Sequence, residues 1–302
     1  MDRRGIGKVS RKRFLDNAAA IMALYFSGMP AFATKLTGQL NQGWLKKDMS
    51  MVTSTTEVLA KPLSDVDQFL LQIKPSDIRD DRSIGFGLRQ IRCALYGGYT
   101  TIWISLAVLD KTIVALECSQ SGGNPETWAR VTSALHGAWK QVPVESDDMS
   151  ITIMRFVDKQ QIDKALSPEL GSMPHLKAAD ACEKSFNLLM SPLEALHVGE
   201  SCYVDGQRPA GRKAMNELTA AGRDDLVRAV LRGPSPEGRT YAALALRKEN
   251  KCTAEDTKVI DKLSKLDIKI WVCTGCMLSR QTFTEILNQP AVTTMPKHFH
   301  PF

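Results

Sequence analysis

Tyr99-Thr-Thr-Ile-Trp-Ile-Ser-Leu-Ala-Val108 and Thr112-Ile-Val-Ala-Leu-Glu-Cys118 stand on either side of Asp110-Lys111. β-Branched and aromatic side chains dominate both runs, and such residues pack best on a pleated, half-buried surface. A short polar break between two such runs predicts a β-hairpin. Ile102, Ile104, Leu106 and Val108 recur at every second position, so they share one face of the first strand.

Working outward, Pro62 to Ile73 predicts a short helix with Ser64 as its N-cap. After the hairpin, residues 124–140 carry Trp128, Val131, Leu135 and Trp139 at helical spacing, and Ser150 to Val157 returns to strand chemistry. Helix, hairpin, helix and strand make an α+β layer domain over 62–165. Residues 34–61 are rich in Thr, Ser, Lys, Gln and Gly with Trp44 as their only large anchor, which predicts a linker. Gly85-Phe-Gly-Leu-Arg-Gln90 opens like a dinucleotide loop, but Gln90 replaces the third glycine and the polar run Asp80-Asp-Arg-Ser83 replaces the preceding strand. A plain loop is the expectation there.

From residue 174 the pattern turns helical. His175 to Met190 is one helix candidate, and a polar loop from Gly199 to Gly211 follows. Arg212 to Ala221 is stopped by Gly222, and Asp224 to Arg232 by Gly233-Pro234. Ser235-Pro236-Glu237 caps the next helix, Thr253 to Asp256 opens another, and Ser279 starts a last one carrying Phe283, Ile286 and Leu287. Residues 290–302 read as a flexible tail.

The run Asp225-Leu-Val-Arg-Ala-Val-Leu-Arg-Gly-Pro-Ser-Pro-Glu-Gly-Arg-Thr-Tyr-Ala-Ala-Leu-Ala-Leu246 resembles HEAT-like helical-hairpin repeats. Together with Val272-Cys-Thr-Gly-Cys276 it resembles a group of exported bacterial proteins without an assigned activity, over residues 193–289. The resemblance implies a mostly helical, HEAT-like domain over 174–289 and no activity. At most one and a half repeat-like units are visible, and the extended stretch Asp267 to Val272 interrupts them.

The N-terminus has the three parts of an export signal. Arg3, Arg4, Lys8, Arg11, Lys12 and Arg13 precede an uncharged stretch, and Pro30 leads into the small-x-small site Ala31-Phe32-Ala33. Ser10-Arg11-Lys12-Arg13-Phe14-Leu15 resembles the twin-arginine signal, with Lys12 in place of the second arginine, so twin-arginine and general secretory routes both stay open. Residues 1–33 hold six basic and two acidic side chains, so removing them takes the net charge from +6 to +2. That small charge, with no aromatic-interleaved basic stripe, argues against nucleic acid as a partner. A periplasmic or extracellular protein with no membrane span after cleavage is expected; an uncleaved N-terminal anchor is the alternative.

Seven cysteines follow the leader. Cys273-Thr-Gly-Cys276 fits a structural disulfide, with Cys252 pairing to one of the two; a redox pair; or, with Cys252 and His298 or His300, a zinc site. In an oxidising compartment the structural disulfide is the favoured reading. Gly199-Glu-Ser-Cys-Tyr203 fails the nucleophile-elbow pattern at its last position; the histidines His136, His175, His197, His298 and His300 are scattered, and His136 has no paired Ser, Cys or Asp nearby in sequence. Tyr241 and Trp271 read as core anchors. The expectation is an exported, non-enzymatic binding or scaffold protein with a protein partner and no cofactor. The alternative is a thiol-disulfide oxidoreductase using Cys273 and Cys276.

Overall fold

The computed structural model describes residues 42–61, 65–122, 150–172, 182–202 and 206–289. Five antiparallel strands lie side by side in chain order: β1 Asp77–Gly85, β2 Leu88–Tyr96, β3 Thr101–Leu109, β4 Thr112–Ser121 and β5 Ser150–Val157. The β3–β4 hairpin closes through Asp110-Lys111, with Leu109 opposite Thr112. The β1–β2 hairpin closes through Phe86 and Gly87, whose φ angles of 58° and 78° are the pair a type I′ turn requires.

The segment 80–90 therefore departs from expectation. Gly85 to Gln90 is a hairpin turn, and Asp80 to Ser83 is strand. Period-two alternation is intact, with Asp80, Arg82 and Ile84 buried and Asp81 and Ser83 exposed. Two of those inward positions are charged, so hydropathy alone conceals the strand.

Both faces of the sheet are covered. One carries Ile102, Ile104, Leu106 and Val108 in a core shared with α1 Gln42–Leu59 and α2 Val66–Ile73. Helix α1 lies where a linker was expected. It buries Leu45, Met51, Val52, Val58 and Leu59, and its fully buried Asp48 accepts the N–H groups of Gly98 (2.8 Å) and Thr100 (3.2 Å). The cap of α2 is Asp65, whose carboxylate accepts the N–H groups of Asp67 and Gln68. Ser64 and the helix expected over 124–140 lie outside the described residues.

The opposite face, through Ile84, Leu88, Ala107, Val114 and Ala115, joins the core of the C-terminal half. That half contains α3 Lys159–Leu170, α4 Glu183–Met190, α5 Ala210–Ala220, α6 Asp224–Leu231, α7 Pro236–Lys248, α8 Ala254–Ser264, the hairpin β6 Lys269–Thr274 and β7 Met277–Thr282, and α9 Phe283–Asn288. It overturns the expected fold class, a small layer domain followed by a mostly helical, HEAT-like region. Helices α6 and α7 do fold back on one another. In a repeat array, however, each unit touches only its neighbours. Here α7 is buried from Pro236 to Ala243 and again at Ala245 and Leu246, enclosed by α5, α6, β6 and the sheet-side core. The helix expected from Ser279 is strand β7, and α9 starts only after the Thr282–Glu285 capping box. The assembly is mixed: a five-stranded sheet with helices on both faces and a second, two-stranded sheet. Among the described residues no helix is long and apolar enough to cross a membrane.

Candidate binding site

The charged inward positions of β1 organise the junction of sheet, helix and hairpin. Arg82 donates from Nη1 to Glu237 Oε1 (2.6 Å) and from Nη2 to Oε2 (3.1 Å), and both side chains are buried. The same guanidinium bonds Gln90 Oε1 (2.8 and 3.0 Å) and the Lys269 carbonyl (3.2 Å). Gln90 in turn donates to the Pro192 carbonyl (2.7 Å), which fixes the loop after α4. Glu237 lies in the first turn of α7, at the positive end of the helix dipole. Two residues before Arg82 on β1, Asp80 accepts from Trp271 Nε1 (3.0 Å) and from Arg280 Nη2 (2.8 Å).

Over this network lies a pocket of about 110 Å³. β1 contributes Arg79 and Asp80, and β2 contributes Arg92. Ala195 and His197 come from the loop after α4, and Trp271 and Leu278 from the β6–β7 hairpin. The loop is held as an extra strand: Val198 N–H donates to the Trp271 carbonyl (2.8 Å) and the Val198 carbonyl accepts from Cys273 N–H (2.8 Å). Arg280 covers the Trp271 ring at 4.3 Å, and His197 meets it edge-on with centroids 6.4 Å apart. The walls are thereby built before any ligand arrives.

Arg92 is the chemically conspicuous member. It is half-buried, and its guanidinium makes no hydrogen bond or ion pair with any described residue. Burial pushes its pKa down, Asp80 opposes that, and Arg82 adds to it. Burial likewise depresses His197 below the ordinary histidine value; Glu237 pulls the other way, and Arg92 and Arg82 reinforce the depression. His197 is accordingly a neutral ring at neutral pH, able to donate or accept through its nitrogens.

The sequence-picked cysteines are arranged differently from expectation. Cys273 is bonded to Cys202 with Cα atoms 5.6 Å apart, not to Cys252 or Cys276. Cys276 is an exposed free thiol in the β6–β7 turn, so Cys273-Thr-Gly-Cys276 does not open a helix as a redox pair would. Cys252 stands half-buried ahead of α8. No group of three or more metal-ligating side chains forms among the described residues. His298, the export residues Arg11, Lys12, Phe14 and Leu15, and the cleavage residues Ala31 and Ala33 lie outside those residues. Tyr241 is fully buried, as expected of a core anchor, whereas Trp271 is half-buried and walls the pocket. Arg92, Ala195 and Leu278 carry no sequence signal, since none belongs to a motif and only the packing of the β6–β7 hairpin and the loop after α4 against the large sheet brings them together. Comparison with protein-family models, curated proteins and solved structures finds no match.

Proposed function

We propose that this chain is an exported, non-enzymatic binding protein that holds its ligand in the pocket between β1, β2 and the β6–β7 hairpin. One observation carries the reading: a half-buried arginine, Arg92, lines a preformed pocket and has no hydrogen-bond or ion-pair partner among the described residues. A guanidinium that has given up part of its hydration without gaining a hydrogen bond is costly, unless a ligand or ordered water completes it. A binding role, as opposed to a catalytic one, is supported by the company of His197, whose ring meets the Trp271 indole and shares the pocket with no nucleophile among the described lining residues. Export is supported by the basic leader ending in Ala31-Phe32-Ala33 and by a long-range disulfide, the kind of bond that persists in oxidising compartments.

The test is to recover the protein from the cell envelope of its source and read its mass with and without denaturation. The expected result is a chain that begins after Ala33 and carries a small ligand or peptide. Ala195→Phe, which fills the pocket from the loop side without touching the ion network, should lose that passenger. A chain retaining Met1, with a passenger indifferent to Ala195→Phe, would overturn the proposal.

A further inference from the structure

Building on the reading of this pocket as the ligand site, we infer that it is a receptor for a single carboxylate borne on a short apolar stem. Arg79 is committed to Asp77 (2.7 Å) and to the Tyr96 hydroxyl, and Arg280 to Asp80 (2.8 Å). The acids that act on Arg92 from outside the pocket, Glu117 and Glu194, both approach Arg155 (3.3 and 3.7 Å). Two carboxylates share Arg155, so Asp80, Glu194 and Glu117 balance Arg92 through space, yet among the described lining side chains it is the one guanidinium without a hydrogen-bonded partner. With Asp80, Glu194 and Glu117 all acting on Arg92, a singly charged anion meets less repulsion there than a doubly charged phosphate. Guanidinium presents parallel N–H donors whose spacing matches the two oxygens of a carboxylate.

Size and surface define the rest. A cavity of roughly 150 Å³ accepts benzene, and this pocket at about 110 Å³ is smaller. It suits a carboxylate with a few carbon atoms behind it. Trp271 and the half-exposed Leu278 provide an apolar wall for those carbons, and His197 offers a ring nitrogen beside the carboxylate. A free short-chain acid and the C-terminus of a peptide present the same group.

The whole chain should be titrated with butyrate, butyramide, inorganic phosphate, and a short peptide ending in valine as its free acid and as its amide. The readout is the Trp271 indole N–H and the Arg92 Nε–H in nitrogen-edited NMR. Butyrate and the peptide acid are expected to move both signals, while the two amides and phosphate leave them in place. Arg92→Gln should weaken acid binding about tenfold or more, the worth of one charge-assisted hydrogen-bonded pair. Arg92→Lys, which keeps the charge and the fold but not the fork, should fall between. Tighter binding of the peptide acid than of butyrate assigns a protein C-terminus as the source; the reverse assigns a free acid. The inference is overturned if butyramide binds as well as butyrate, if phosphate binds more tightly, or if Arg92→Gln and Arg92→Lys both bind as the parent does. Amide binding that Ala195→Phe blocks would leave the pocket standing as the ligand site and remove only the carboxylate. Indifference of every probe and of the passenger to Ala195→Phe would remove both.

Discussion

Arg82 and Glu237 meet through two hydrogen bonds inside the protein, although one lies on the edge strand β1 and the other in the first turn of α7. Both side chains are almost fully enclosed, at 5% and 1% exposure. A buried pair of this kind contributes little net stability compared with a well-packed apolar pair, but losing Glu237 leaves buried Arg82 only the longer contact to Asp80 (3.4 Å), a carboxylate already held by Arg280.

Glu237→Ala should accordingly destabilise the protein by about 3–5 kcal/mol. For a chain of this size that is a fall in Tm of roughly 10 °C. Replacing both residues by methionine should restore most of the loss, because no charge is then left unpaired. Thermal melts of the single and double variants decide the matter; a single variant that melts with the parent would show the pair to be energetically idle.

Asp256 gives the acid limb of stability. Its side chain is fully buried, accepts from Arg228 Nε (3.0 Å) and Arg232 Nη1 (3.1 Å), and closes the capping box of α8 with Thr253. Burial alone would raise its pKa, but the Thr253 N–H, Arg228 and Arg232 together outweigh that and hold it below the ordinary aspartate value. A depressed acid stabilises the fold above its unfolded pKa, near 3.9, and that contribution fades as pH drops through the lower folded value. Asp256→Asn should cost about 3 kcal/mol at neutral pH. In urea melts its deficit should shrink below pH of about 4, where the parent loses the same interaction. A deficit constant down to strongly acid pH would assign the cost to packing.

The hairpin β3–β4 was legible because its side chains alternate and its turn is polar. Strand β1 was not, since Asp80 and Arg82 occupy inward positions that hydropathy assigns to solvent. Helix α1 escaped for the same reason: its buried face includes Asp48 and Thr55 among apolar residues. At the C-terminus the apolar spacing of Phe283, Ile286 and Leu287 does not mark where the helix begins; Thr282 and Glu285 form the capping box that does, three residues after Ser279. Of the candidate site, His197 and Trp271 stand out in the sequence, one as a scattered histidine and the other as an aromatic anchor. Arg92 does not, because its meaning depends on which neighbours strand pairing withholds from it. The disulfide partner Cys202 was equally hidden, being chosen by the parallel bridge of Val198 to Val272 and not by spacing.

That bond closes a loop whose ends are 71 positions apart. Cross-linking so long a stretch removes unfolded-state entropy worth about 4 kcal/mol in the chain-entropy account. Cys202→Ser and Cys273→Ser should each lower stability by up to that amount, and reductant should reproduce the effect in the parent. Cys276→Ser should be neutral, since its thiol is exposed and unbonded. Peptide mapping without reductant should recover Cys202 joined to Cys273; a Cys273–Cys276 linkage would instead return the motif to redox chemistry.

Gly199 tests whether the fold and the pocket are mechanically one. Its N–H donates to the Tyr241 hydroxyl (3.1 Å), which itself donates to the His197 carbonyl (2.6 Å), and its own carbonyl accepts from Arg212. A Cβ at this position would run into the carbonyl oxygen of Cys273, a backbone atom that cannot step aside without moving β6. Gly199→Ala should thus push the loop off β6, costing about 1–3 kcal/mol as overpacking does. Because His197 lies two positions back and Trp271 sits on β6, the His197 ring and the Trp271 indole N–H should shift together in NMR. Tyr241→Phe provides the comparison: it removes one buried hydroxyl, costs about 1 kcal/mol, and leaves the glycine seam closed. If Gly199→Ala weakened butyrate binding while Tyr241→Phe did not, the seam itself would set the width of the pocket. Equal butyrate affinity in both variants, with the expected loss of stability in each, would separate the strength of the fold from the shape of the site.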